Sequence, residues 1–218
     1  VLPRHPFSPD APEQSRDIPM MIGTTFTEFA ASAYVPEMRN LPEEKVMEMV
    51  RQTYGDDTDS FVAAYKKAYP NYKPADLIDT DFMFRSKAIQ QGTVKASQGG
   101  APVWMYVFGW QSPVLNGAMR STHCMEIPFV FDNADVHASM TGGGEDAMKL
   151  ADRMSDAWVN FARYGNPNGE SGIEGVPAWE PFNAENGNTM WWDNECKILQ
   201  NHDREVIDIA VSKIKTTI

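Results

Sequence analysis

The sequence has few cysteines: only Cys124 and Cys196 occur among 218 residues. Two cysteines exclude a disulfide framework, and they leave the cellular compartment open. The chain also lacks any apolar run that approaches the roughly 18 residues of a membrane-spanning helix. We therefore predict no membrane partner.

Basic residues are scarce as well, with 19 lysines and arginines against 30 aspartates and glutamates, and the net charge is −11. Nucleic-acid binding needs clustered cations against phosphates, so we predict no nucleic-acid partner. The same balance disfavours anionic membrane surfaces. Acidity of this size identifies no partner by itself.

Two apolar runs predict buried strands, namely IPMMIGTT at 18–25 and GGAPVWMYVFGW at 99–110. Each is continuous rather than alternating, which is typical of a parallel sheet covered on both faces. The segment NTMWWDNECKIL at 188–199 predicts a further short strand or hairpin. Periodicity and end signals predict helices over 41–55, 58–70, 74–98, 142–168 and 203–218. This order of strands and helices predicts an α/β fold.

The segment RSTHCMEIPFVFDN, at 120–133, contains the most informative histidine. His123 alone fits a hydrogen-bonding surface residue, a metal ligand or half of a catalytic pair. A metal site with Cys124 and Glu126 would have the spacing H-C-x-E, which matches no common zinc pattern. Cys124 is a poor nucleophile for its own neighbour, because adjacent side chains point apart. We therefore predict no metal and no cofactor.

Two short motifs imitate hydrolase signatures. GESGI, at 169–173, lacks the final glycine of G-x-S-x-G and follows a loop rather than a strand. TGGGE, at 141–145, resembles an oxyanion-hole glycine run, but it directly precedes a long predicted helix. Neither motif is predicted to be catalytic.

Four segments occur in one order along nearly the whole chain: VLPRHPFSPDAPEQSRDIPMMIGTTFTEF, APVWMYVFGW, GAMRSTHCMEIPFVFDN and MSDAWVNFARYGNPN with VPAWEPF. This series resembles the C-terminal part of the type-B carboxylesterase family, the cholinesterase-like α/β-hydrolases. Its most specific pieces are H-x-x-E-I-P-F-V-F and W-x-x-F-A-x-x-G-N-P-N. The resemblance implies that residues 1–218 form the C-terminal portion of an α/β-hydrolase fold, a partial, mostly parallel sheet flanked by helices.

The resemblance also implies two catalytic residues. In this family a triad runs Ser, Glu or Asp, then His along the chain. The family's acid segment resembles I-G-T-N-x-x-E-G. Here IGTTFTEF places Glu28 at the acid position, with Thr25 and Phe29 in place of the usual Asn and Gly. The family histidine corresponds to His123, and Glu126 takes a structural role beside it.

No serine in the sequence satisfies the nucleophile elbow, which lies upstream of the acid in the resembling family. The resemblance therefore implies the C-terminal part of a serine carboxylesterase that lacks the upstream half and is inactive alone. The intact parent would hydrolyse small-molecule carboxylic esters, and the sequence does not specify which ester. The alternative is a non-catalytic interaction or adhesion module of the same family.

A sheet deprived of its upstream strands would also expose an edge. Unpaired N–H and C=O groups along such an edge invite a second chain to pair with it. We therefore predict self-association through an exposed sheet edge.

Overall fold

A four-stranded sheet organises the chain, in a computed structural model that describes residues 5–214. Its strands are β1 Met20–Thr25, β2 Val103–Phe108, β3 Asn188–Trp192 and β4 Lys197–Gln200. They lie in the order β1-β2-β3-β4, with the first three parallel and β4 antiparallel to β3. The predicted α/β fold with a partial, mostly parallel sheet is confirmed, and the segment at 188–199 forms a hairpin.

Nine α-helices surround the sheet in the described residues. They are α1 Ala31–Tyr34, α2 Glu43–Tyr54, α3 Thr58–Ala68, α4 Asp76–Asp79, α5 Met83–Ala96, α6 Ile127–Val130, α7 Ala138–Thr141, α8 Gly144–Tyr164 and α9 Arg204–Ile214. The predicted tail helix is α9, and residues 215–218 of that prediction lie outside the described range. Among the described helices, none combines the length and the apolar character needed to cross a bilayer.

β2 is apolar on both sides, and helices pack against both faces of the sheet there. Trp104 and Phe108 belong to a core cluster with Leu150 and Met154 of α8. Val103 and Met105 of β2 belong to a second cluster, against which Ile89 of α5 packs. The first turn of α8 contains two acidic residues, Glu145 and Asp146, which suit the positive end of the helix dipole. A third cluster joins α2, α3 and α9.

The helical region predicted over 74–98 consists of two helices, because the chain breaks between α4 and α5. Thr80 has extended backbone angles, and Asp81 follows it. The Asp81 carboxylate accepts hydrogen bonds from the N–H groups of Phe84 and Arg85, at 2.9 and 3.3 Å. An acidic side chain that takes the first free N–H groups starts a new helix. The Asp81 N–H donates to the Phe26 carbonyl at 3.1 Å, which fixes this break beside the end of β1.

Within the described range, β1 has a strand neighbour on one edge only. Met20 and Phe26 donate their N–H groups to the β2 side, at 3.0 and 2.9 Å. Because successive N–H groups of a strand alternate in direction, those of Met21, Gly23 and Thr25 point to the other edge. The carboxyl ends of β1 and β2 lie side by side, so the segments that follow them meet at one end of the sheet.

Candidate active site

Glu28 and His123 meet at the carboxyl ends of β1 and β2, although 95 residues separate them. Oε2 of Glu28 lies 2.7 Å from Nδ1 of His123. Oε1 of Glu28 accepts the N–H of Thr25 at 2.9 Å. The Glu28 side chain is 9% exposed, whereas that of His123 is 54% exposed. A buried carboxylate thus holds one ring nitrogen, which leaves Nε2 as the nitrogen available for proton exchange.

The two loops that carry this pair are also joined through their backbones. The N–H of His123 donates to the carbonyl of Glu28 at 2.9 Å. The N–H of Ser121 donates to the hydroxyl of Thr27 at 3.0 Å, and the N–H of Thr27 reaches the Ser121 carbonyl at 3.4 Å. The Ser121 hydroxyl donates to the carbonyl of Trp110, just after β2. These bonds fix the position of each loop relative to the other.

Buried ion pairs anchor the histidine loop to α4. Nη2 of Arg120 lies 2.7 Å from Oδ1 of Asp76, and Arg39 contacts the same oxygen. Asp79 accepts hydrogen bonds from the N–H and the hydroxyl of Ser32, at 3.0 and 2.6 Å. The side chains of both arginines and both aspartates are largely buried. The His123 loop is therefore attached to the helical layer as well as to the sheet.

Burial and negative charge set the acidity of the groups around the pair. Burial raises the pKa of Glu126, and the charge of Glu28 raises it further. Burial also raises the pKa of Asp81, whose N–H donates to the Phe26 carbonyl after β1. Desolvation raises the pKa of the Cys124 thiol, and Glu126 and Glu28 add to this effect. A thiol with a raised pKa is a poor nucleophile, so the structure gives no support to a catalytic Cys124.

One face of the His123 imidazole is covered by an aromatic ring. Phe29 stacks on His123 with 5.2 Å between the ring centroids and 25° between the planes. Phe84 lies against Phe29, with 5.6 Å between their centroids. Both phenylalanines are exposed, Phe29 at 51%. Phe29 stands where the acid segment of the resembling family usually has a glycine. That departure did not predict its contact with His123.

The model of the carboxylesterase family matches residues 1–209. This chain belongs to the carboxylesterase family. It is 28% identical over 210 residues to the para-nitrobenzyl esterase of Bacillus subtilis, covering 94% of this chain and 40% of that protein. It is 30% identical over 217 residues to the human cocaine esterase, covering 84% of this chain and 35% of that protein.

Solved carboxylesterases share the fold. An esterase from Clostridium hathewayi that can hydrolyse aliphatic aromatic polyesters superposes with a TM-score of 0.77 at 25% identity. The superposition covers 93% of this chain and 39% of that esterase. The chain thus spans between 35% and 40% of the length of these relatives.

The two motifs that resemble hydrolase signatures, GESGI and TGGGE, do not lie in turns that lead from a strand into a helix. Residues 169–173 lie in the loop between α8 and β3, where 169–171 are in a turn. In TGGGE, Gly144 begins α8, which fits the role of helix entry. Within residues 5–214, no serine, threonine or cysteine side chain forms a hydrogen bond with His123. No group of three or more His, Cys, Asp or Glu side chains in that range is placed to hold a metal ion.

The Glu28–His123 pair opens onto an exposed face rather than into a described cavity. A cavity of about 530 Å³ lies near the ends of the strands and is lined by residues that include Phe26, Tyr69 and Trp191. Neither Glu28 nor His123 lines it.

Proposed function

We propose that this chain contributes the acid and the histidine of a Ser-Glu-His triad to a serine carboxylesterase. Glu28 is the acid and His123 is the base. The contact between Glu28 Oε2 and His123 Nδ1, at the ends of adjacent parallel strands, is the observation that carries the proposal. Membership of the carboxylesterase family supports it.

The geometry suits the proton transfers of ester hydrolysis. Glu28 accepts a hydrogen bond from the Nδ1–H group, so the neutral imidazole presents an unprotonated Nε2 to a serine hydroxyl. His123 takes the hydroxyl proton as the serine attacks the ester carbonyl, then gives it to the departing alcohol. The resulting acyl-serine is cleaved by water, which His123 activates in the same way. The Glu28 carboxylate stabilises the imidazolium formed in each half-reaction.

The nucleophilic serine is proposed to lie outside these 218 residues. On this proposal, residues 1–218 are the C-terminal part of a carboxylesterase domain whose elbow serine is in an upstream part. Two observations support it: the chain spans between 35% and 40% of its relatives, and no serine hydroxyl in the described range bonds to His123. The chain alone then has no nucleophile and does not hydrolyse esters.

The substrate of the intact protein is proposed to be a small-molecule carboxylic ester. The names of the relatives support this class, since they include a para-nitrobenzyl esterase and a cocaine esterase. The triad chemistry supplies the nucleophile, the base and the acid from side chains, so the proposed reaction requires no metal or cofactor.

A serine-directed phosphonate probe tests the proposal. We would treat two proteins with a fluorescent fluorophosphonate: the 218-residue chain, and the chain preceded by the upstream part of its coding sequence. The longer protein should be labelled and should turn over 4-nitrophenyl acetate, whereas the chain alone should do neither. A longer protein without labelling or turnover would favour the interaction-module alternative. Turnover by the chain alone that His123→Ala abolishes would place the nucleophile inside these residues.

A further inference from the structure

Phe29 directly follows the acid of the pair, and its ring lies on the imidazole that the acid holds. The centroids of Phe29 and His123 are 5.2 Å apart and their planes differ by 25°, an offset-stacked geometry. Glu28 therefore contacts the edge of the imidazole and Phe29 contacts its face. Two consecutive residues of one turn hold the same histidine from two directions.

One hydrogen bond does not fix the plane of a half-exposed ring. The His123 side chain is 54% exposed, so the protein surrounds little of it. A contact at Nδ1 alone still allows the ring to tilt about the line from Nδ1 to Oε2, and such a tilt moves Nε2, which lies on the far side of the ring. A ring stacked on one face opposes this tilt. The position of Nε2 decides whether a serine hydroxyl comes within reach of the base.

Phe29 is itself supported from behind. Phe84, at the start of α5, contacts Phe29 with 5.6 Å between centroids and 49° between planes. The turn between α4 and α5 is held beside the acid loop, since the N–H of Asp81 donates to the carbonyl of Phe26. The three rings thus form a continuous row, His123–Phe29–Phe84, on a part of the surface that is tied to the sheet.

We propose that Phe29 is a positioning residue, which fixes the imidazole plane of His123 so that Nε2 faces the nucleophile. The inference rests on the proposed function and deepens it. Exposed single apolar residues are ordinary on protein surfaces. Phe29 differs because its exposed ring touches the one side chain proposed as the base. Stacked aromatic pairs of this kind shift a conformational equilibrium by roughly 2- to 10-fold.

NMR of the His123 side chain tests this in the chain as it exists. The readouts are the Nδ1 proton resonance, its exchange rate with solvent and the order parameter of the ring C–H bonds. Phe29→Leu should speed exchange of the Nδ1 proton by roughly 2- to 10-fold and lower the ring order parameter. Phe29→Tyr, which keeps an aromatic ring, should retain the signature of the unaltered chain. Phe84→Leu, which removes only the support, should give a smaller change in the same direction.

Tyr34→Leu is the matched control, since Tyr34 is a 68% exposed aromatic residue without a ring contact in the described part of the chain. It should leave the His123 signals unchanged. Glu28→Gln separates this inference from the proposed function. If Glu28→Gln alters the Nδ1 resonance and Phe29→Leu does not, the role of Phe29 is wrong and the pair stands. If neither substitution alters it, the Glu28–His123 pair is absent in solution and both proposals fail.

Discussion

Arg120 lies three residues before His123, and its Nη2 contacts Oδ1 of Asp76 at 2.7 Å. Both side chains are largely buried, at 5% and 11% exposure. Removing one partner of a buried pair costs about 3–5 kcal/mol, and Arg39, which contacts the same Asp76 oxygen, keeps the expected loss at the low end of that range. We expect Arg120→Ala to lower the free energy of unfolding by about 3 kcal/mol, as measured by urea denaturation.

An exposed ion pair provides the control for Arg120. Lys45 and Glu48 are 2.9 Å apart on α2, with side chains 63% and 56% exposed. Because solvent already screens this pair, Lys45→Ala should change the free energy of unfolding by less than about 0.5 kcal/mol. Equal losses from the two substitutions would show that the buried cluster does not hold the histidine loop as described.

The stability of the fold should be sensitive to acid through His202. Burial lowers the pKa of His202, against the opposing effect of the Asp203 carboxylate, whose Oδ1 is 3.6 Å from Nδ1. The unfolded chain, where a histidine has a pKa of about 6.5, binds this proton more readily than the folded one. Stability should therefore fall as the pH drops below about 6.5, with a slope of at most about 1.4 kcal/mol per pH unit for this group.

Asp203 adds a separate loss at lower pH. Burial alone would raise its pKa, but Arg85, with Nε 3.1 Å from Oδ2, helps to lower it overall. The stabilising contribution of the ionised Asp203 is present above about pH 3.9 and is lost as the pH falls further.

The effect of His202 is tested by thermal melts between pH 7.5 and 5.0. His202→Gln should flatten the pH dependence of stability, whereas His137→Gln, which changes an exposed histidine, should not. An unchanged slope in His202→Gln would contradict the assignment.

Much of the fold follows from local sequence pattern. The two long apolar runs predicted β1 and β2, since continuous apolar sequence is typical of parallel strands. β2 is buried along nearly its whole length, whereas β1 is half-buried from Met20 to Gly23. The helix over 142–168 was equally clear, because its apolar residues recur with helical spacing between acidic residues and Gly165. The break at Thr80–Asp81 was missed. It depends on a carboxylate that binds the start of α5 and on a contact with Phe26, which lies 55 positions earlier (81 − 26).

The candidate site also combines residues that the sequence predicted with contacts that it did not predict. The resemblance identified Glu28 and His123 as residues of one site, and the structure places them in contact. Their catalytic role stays a prediction. No sequence pattern predicted the Arg120–Asp76 pair or the Phe29–His123 stack. Both join segments that are distant along the chain, so their formation depends on how the loops pack.

The free edge of β1 predicts association. In the described residues no strand pairs with it, and the N–H groups of Met21 and Gly23 point toward it. Light scattering at micromolar concentration should therefore detect oligomers. Met21→Pro removes one outward N–H and should reduce association, whereas Met21→Leu keeps that N–H and should not. A monomeric wild-type chain would show that this edge is not an association surface.

We propose that Glu28 and His123 act together as the acid and base of a carboxylesterase. Measuring kcat/KM for 4-nitrophenyl acetate in the longer protein that contains this chain tests both residues in one reaction. Glu28→Gln and His123→Ala should each lower kcat/KM by at least about 1,000-fold. Glu48→Gln and His137→Ala, which change exposed residues of the same types, should leave it within about twofold. An activity that survives Glu28→Gln or His123→Ala within about tenfold would show that the two residues are not the acid and base of this reaction.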